Sequence, residues 1–171
     1  MKNESIKQKI LECAKAEFME KGFADASMRS IAEKAGFTTG ILYSRFADKD
    51  EIFRELVSDG ATELYDYFCF LQDEFASFEP ERQKAEMHDY VDEKVDYMLD
   101  IIYKHFDAFK LIICKSSGSS YENYVDKMVE VETRNTVRFM EVLRGLGISV
   151  NEVRADLNHM LASALFGGMF E

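Results

Sequence analysis

The sequence predicts an all-α fold, and three observations carry that prediction. Apolar residues recur at helical spacing in segment after segment, and no stretch sustains the alternation of a half-buried strand. Pro occurs once and Gly nine times in 171 residues, too few for many short strands joined by turns. With 47% hydrophobic residues, among them 14 Phe, 8 Tyr and 9 Met, the chain can also bury a sizeable core.

The elements follow in order. Ile6, Ile10, Ala14 and Phe18 write one apolar stripe over residues 5–21, which Gly22 ends. Ser27 is placed to cap a short second helix whose Met28, Ile31, Ala32 and Ala35 face inward and whose stop is Gly36. After the turn at Gly36 and Phe37, Thr38 caps a third helix over residues 39–46, burying Leu42 and Phe46. Asp48, with Glu51 three positions on, starts a long helix over 48–77 that carries Ile52, Phe53, Leu56, Val57, Leu64, Phe68 and Leu71 on one side. Pro80 suits the first position of the next helix, where its missing N–H is harmless. That helix has an apolar face of Val91, Val95, Met98, Leu99 and Ile102, and an acidic face of Glu86, Asp89, Asp92, Glu93, Asp96 and Asp100 that reads as solvated. "FDAFKLIIC" is a shorter apolar helix halting in "KSSGSS", and another helix spans 121–144. Asn151 is placed to cap a last helix containing Val153, Leu157, Leu161, Leu165 and Phe166, which reaches Glu171 without a stop signal, so the natural chain is expected to continue. The expected domains are 1–47 and 48–171.

Several functions are disfavoured. No apolar run approaches the roughly 18 residues of a membrane span, and "MKNESIKQKI" lacks a signal-peptide core, so the simplest expectation is a cytoplasmic protein. Cys13, Cys69 and Cys114 are widely spaced and odd in number, which suits free thiols packed as small hydrophobes. A di-metal enzyme of the ferritin-like kind needs Glu-x-x-His twice, and the chain offers a single Asp156-x-x-His159, so neither enzyme nor metal or other cofactor is expected. Neither glycine cluster has the spacing and context of a phosphate loop.

Charge is unevenly distributed. The net is −11, yet residues 1–54 hold ten basic and nine acidic residues, and within 27–49 four basic residues face two acidic ones. That locally positive island contains two short helices joined by a Gly turn, the second opening with small polar residues. Such a pair has the form of a helix-turn-helix, whose second helix enters the DNA major groove. The same spacing also describes an ordinary helical hairpin with a Gly cap. Under the first reading Gly40 lets backbone approach base edges or a thymine methyl. Thr39, Ile41, Tyr43 and Ser44 share the surface left outside, and Arg29, Arg45 and Lys49 neutralise phosphates beside the capped helix starts at Ser27 and Thr38.

The segment "FMEKGFADASMRSIAEKAGFTTGILYSRFADKDEIF", residues 18–53, resembles the DNA-binding domain of TetR-family transcriptional regulators. The matching parts are the F-x-x-K-G-F end of helix one, Ser27-Met28-Arg29, Ile31-Ala32, Ala35-Gly36, Gly40-x-Leu42-Tyr43, Phe46 and Lys49. The resemblance implies phosphate or base contacts from Ser27, Arg29, Thr38, Thr39, Gly40, Tyr43, Ser44 and Lys49. Arg45 departs from the histidine common in the family and adds positive charge.

Beyond about residue 55 the resemblance is architectural. It implies a C-terminal helical domain that dimerises through its last helices and encloses an apolar or amphipathic ligand. Tyr97, Met98, Phe109, Ile113, Tyr124 and Phe139 are the candidate ligand contacts, each of which is also a reasonable core residue. The expected function is a homodimeric repressor on an inverted-repeat operator, released when a ligand favours another spacing of the reading helices. A DNA- or partner-binding module without an inducer is the alternative.

Overall fold

A computed structural model describes residues 2–151 and 154–170. Among these the chain forms α1 (Lys2–Asp25), α2 (Met28–Ala35), α3 (Thr39–Tyr43), α4 (Lys49–Ala76), α5 (Pro80–Lys104), α6 (Phe106–Lys115), α7 (Tyr124–Gly145) and α8 (Ala155–Phe170), and no strand. The all-α expectation therefore holds. No described helix is long and apolar enough to cross a membrane.

The chain packs as two compact units, the first made of residues up to 61 with 105–123, and the second of 62–104 with residues from 124 onward. In the first unit α1 packs on α2 and α6, and α2 on α3. Its core is aromatic: the Phe53 ring meets Phe18 and Phe23 edge-on at centroid distances of 5.2 and 5.3 Å, and Phe18 and Phe23 stack at 5.8 Å. Ile10, Ile31, Leu42, Ile52 and Leu111 are fully buried in the same unit. The inclusion of α6 explains why Phe109, expected to touch a ligand, is instead part of this core.

In the second unit α7 packs on α8 and α5. Phe68 and Phe166 meet edge-on at 5.4 Å, and Phe75 gathers Phe78, Tyr90 and Phe139 around it at 5.8, 5.4 and 5.5 Å. Pro80 opens α5, as its chemistry demands. The buried Gln83 amide donates to the Phe78 carbonyl at 2.8 Å and so satisfies a carbonyl left over at the α4–α5 turn.

Four local expectations need correction. Helix α3 ends at Tyr43 rather than 46, because the Arg45 and Phe46 amides both donate to the Leu42 carbonyl at 2.9 Å and close the chain into a turn. Helix α7 starts at Tyr124 rather than 121, since turns bonded from Ser119 to Ser116 and from Glu122 to Ser119 occupy the preceding residues. Helix α8 starts at Ala155, too late for Asn151 to cap it; Val153 and Glu171 lie outside the described residues. Its Leu157, Leu161 and Leu165 are exposed, the inward side being Asn158, Ala162 and Phe166. Among the thiols, all free, Cys13 and Cys69 are half-buried as small hydrophobes, whereas Cys114 is exposed.

Candidate nucleic-acid interface

The short-helix pair is built by caps. Ser27, in extended backbone (φ −134°, ψ 144°), accepts the Ser30 N–H on its hydroxyl at 3.1 Å and so begins α2. Gly36 ends it in the left-handed region (φ 73°, ψ 31°), where a side chain would be strained, and the Phe37 N–H then returns to the Ala32 carbonyl at 2.9 Å. Thr38 repeats the cap for α3, its hydroxyl accepting from the Ile41 amide at 3.4 Å. Leu42 and Phe46 anchor the inner side, and Thr39, Gly40, Tyr43 and Ser44 are left on the outer side in solvent. Tyr43 keeps 57% of its surface exposed, a large aromatic held out by the helix that buries its neighbour.

Two lysine clusters fix this pair on the rest of the unit. The Glu17 carboxylate is fully buried in α1 and meets Lys34 of α2 at 2.6 Å and Lys21 of α1 at 2.7 Å. Burial pushes its pKa up, but the hydrogen bonds from Lys21, Lys34 and Ser30 and the Lys34 charge outweigh it and hold it down to about 2. Lys49, at the start of α4, donates to the carbonyls of Phe23, Ala24 and Ala26 and lies 4.4 Å from the Phe23 ring centroid. All three N–H groups of the ammonium are thereby engaged, and burial lowers its pKa. In this structure the Lys49 ammonium, expected to meet phosphate, clamps the end of α1.

The remaining cations differ in availability. Arg29 is exposed and pairs with Glu33 one turn on at 2.9 Å, a surface pair weak enough to be exchanged for another anion. Arg45 is half-buried and reaches the Ser44 hydroxyl at 3.2 Å, while that hydroxyl donates to the Ile41 carbonyl at 2.8 Å. Ser27 and Thr38 use their hydroxyls as caps yet remain exposed. The result is a hydroxyl-rich surface, with Arg29 on α2, Arg45 in the turn after α3 and no acidic side chain within α3.

The expected ligand contacts scatter. Met98 and Phe139 line a cavity of about 220 Å³ inside the second unit. Tyr97 is about half exposed and packs edge-on against Tyr67 at 4.7 Å, and Tyr124 is buried against Tyr65. Phe109 and Ile113 belong to α6 in the other unit, so these four do not line the cavity. Lining residues that sequence reasoning missed include Phe75, Tyr90 and Glu132. On α7, Glu132, Asn135, Thr136 and Phe139 follow the i, i+3, i+4, i+7 rule for one helix face, a signal legible in advance.

Comparison with known proteins agrees with this geometry. Residues 10–56 match the model of bacterial regulatory proteins, tetR family. The uncharacterized HTH-type transcriptional regulator YdgC of Bacillus subtilis is 39% identical over 61 residues, 34% of this chain and 31% of YdgC, so the match spans about a third of that relative's length. UidR of Escherichia coli, an HTH-type transcriptional regulator, is 22% identical over 92% of this chain and 74% of its own. The solved TetR-family regulator PfmR of Thermus thermophilus shares the fold at a TM-score of 0.53 and 20% identity, covering 94% of this chain and 82% of PfmR. These relatives are regulators rather than enzymes. The capped helix pair lies inside the segment that matches the tetR family of bacterial regulatory proteins.

Proposed function

We propose that the chain is a sequence-specific, dimeric DNA-binding repressor released by a small ligand, with residues 1–47 as the DNA-binding part and 48–171 as the ligand-binding and dimerising part. The observation that carries this reading is Gly40. A methyl group built there would meet nothing closer than the Thr38 hydroxyl oxygen at 3.8 Å, ordinary contact distance, and the backbone is not left-handed. The fold therefore does not need a glycine in the first turn of α3, where one costs roughly 1 kcal/mol against alanine. Close approach of an outside partner supplies the reason. Thr39 and Tyr43 share the exposed side with it and read bases or the sugar-phosphate edge. Arg29, Arg45 and the Ser27, Thr38 and Ser44 hydroxyls hold phosphates, and Lys49 keeps the frame in place.

One reading helix covers too few base pairs, so a second copy is required, with half-sites about 34 Å apart. The exposed side of α8 supplies its contact. Leu157, Met160, Leu161, Ala164, Leu165 and Gly168 are all exposed at the spacing of one helix face. The operator is then an inverted repeat, and the ligand acts by preferring a released spacing by roughly 3 to 5 kcal/mol. Such a role belongs in the cytoplasm.

The test is Gly40→Ala. Melting should be unchanged or up to about 1 kcal/mol more stable, while affinity for an operator fragment in a shift assay drops at least about tenfold. Full retention of binding sinks the proposal.

A further inference from the structure

We infer that the cavity of the second unit takes a compact organic cation, an amine or quaternary ammonium carried on an apolar body; this rests on the reading of that cavity as the ligand site. The walls are aromatic and sulfur-bearing, with Phe75, Tyr90 and Phe139 grouped around one another and Met98 beside them. Ring faces carry negative potential and attract cations. A carboxylate stands among them: Glu132 on α7 accepts from the Gln72 amide at 2.7 Å and from the Thr136 hydroxyl at 3.2 Å. Both donors are neutral, so they orient the carboxylate without cancelling its charge.

The two cations on the lining do not reverse this balance. The Lys94 ammonium donates to Glu93 at 2.9 Å, which raises its pKa and offsets its charge. Arg138 is exposed, and at six residues from Glu132 it lies about 120° round α7. The wider field points the same way. Residues 62–104 and 124–171 together hold nine basic and nineteen acidic side chains, a surplus that concentrates cations near the site. An anionic amphiphile meets that field and Glu132 as repulsion, with only Arg138 uncompensated. A cavity near 220 Å³ also suits a small body rather than a long chain.

The experiment is calorimetric titration of the full chain with three probes: benzyltrimethylammonium, its uncharged carbon analogue neopentylbenzene, and octanoate. The ammonium probe should bind at least about tenfold tighter than the other two. Glu132→Gln, which keeps the side chain's size and one acceptor for the Gln72 amide while the Thr136 hydroxyl turns to accept, should remove that preference, and Phe75→Leu should weaken the cation more than the neutral probe; far-UV helicity and melting check that both variants fold. Tighter binding of octanoate or neopentylbenzene, or unchanged cation affinity in folded Glu132→Gln, overturns the charge class and leaves the cavity as a ligand site. Absence of binding by all three probes at millimolar concentration also overturns it. The ligand-site reading itself fails separately, if filling the cavity by Met98→Trp leaves operator release by cell extract intact.

Discussion

The two units of this protein handle aromatic residues and charge in opposite ways. In the first, Phe18, Phe23 and Phe53 are buried against one another and twelve basic residues nearly balance thirteen acidic ones. In the second, Phe75, Tyr90 and Phe139 gather beside open space, and acidic residues outnumber basic ones by ten. A part that must present a fixed surface gains from a filled core, because close packing leaves its helices one arrangement. A part that must respond to a ligand keeps unfilled volume and exposed apolar surface, and forgoes stability to do so.

Truncation tests that contrast most strongly. Phe53→Ala should cost about 3–5 kcal/mol in denaturant unfolding, whereas Phe75→Ala, at the edge of a cavity that already exists, should cost about 1–2 kcal/mol. Equal costs would mean that the second unit is as tightly built as the first. Leu161 of α8 is 57% exposed, so Leu161→Glu should leave the protomer's melting within about 0.5 kcal/mol while converting a dimer to monomer in sedimentation at micromolar concentration. A dimer that survives the change places the self-contact elsewhere.

A smaller effect concerns Glu17. Its folded pKa, about 2, is below the ordinary 4.5, so its contribution is fully present above pH 4.5 and is lost as pH falls from there towards 2. Glu17→Gln should therefore destabilise by about 1–3 kcal/mol at pH 7 and flatten the acid limb of the stability profile in that window. Lys21 and Lys34 remain partly solvated, which keeps the cost below that of a fully buried pair. A variant whose acid limb matches the parent's assigns the acid sensitivity to other carboxylates.

What could be read from the chain alone follows the range of the forces involved. Ser27, Gly36 and Thr38 were legible because a cap is a bargain between a side chain and backbone two or three residues away. The membership of α6 was not, since "FDAFKLIIC" is equally apolar whether it meets α1 or a ligand. Phe109 and Ile113 go with α6 into the first unit. Lys49 looked like a surface cation because its three carbonyl partners come from residues 23–26 back in the chain, and only the folded unit brings them together. Glu17 shows the same limit: Lys21 is one turn away in sequence, but the pairing with Lys34 depends on how α1 crosses α2.

Position 40 also bears on how such a surface changes over time. Because its missing methyl answers to nothing within the protein, residues 39, 40, 43 and 44 form a patch that can be rewritten without renegotiating the interior. A library randomised at those four sites should yield mostly foldable variants, and selection on altered recognition sequences would then act on preference alone. On the proposed reading, the alphabet is kept apart from the scaffold that holds the page.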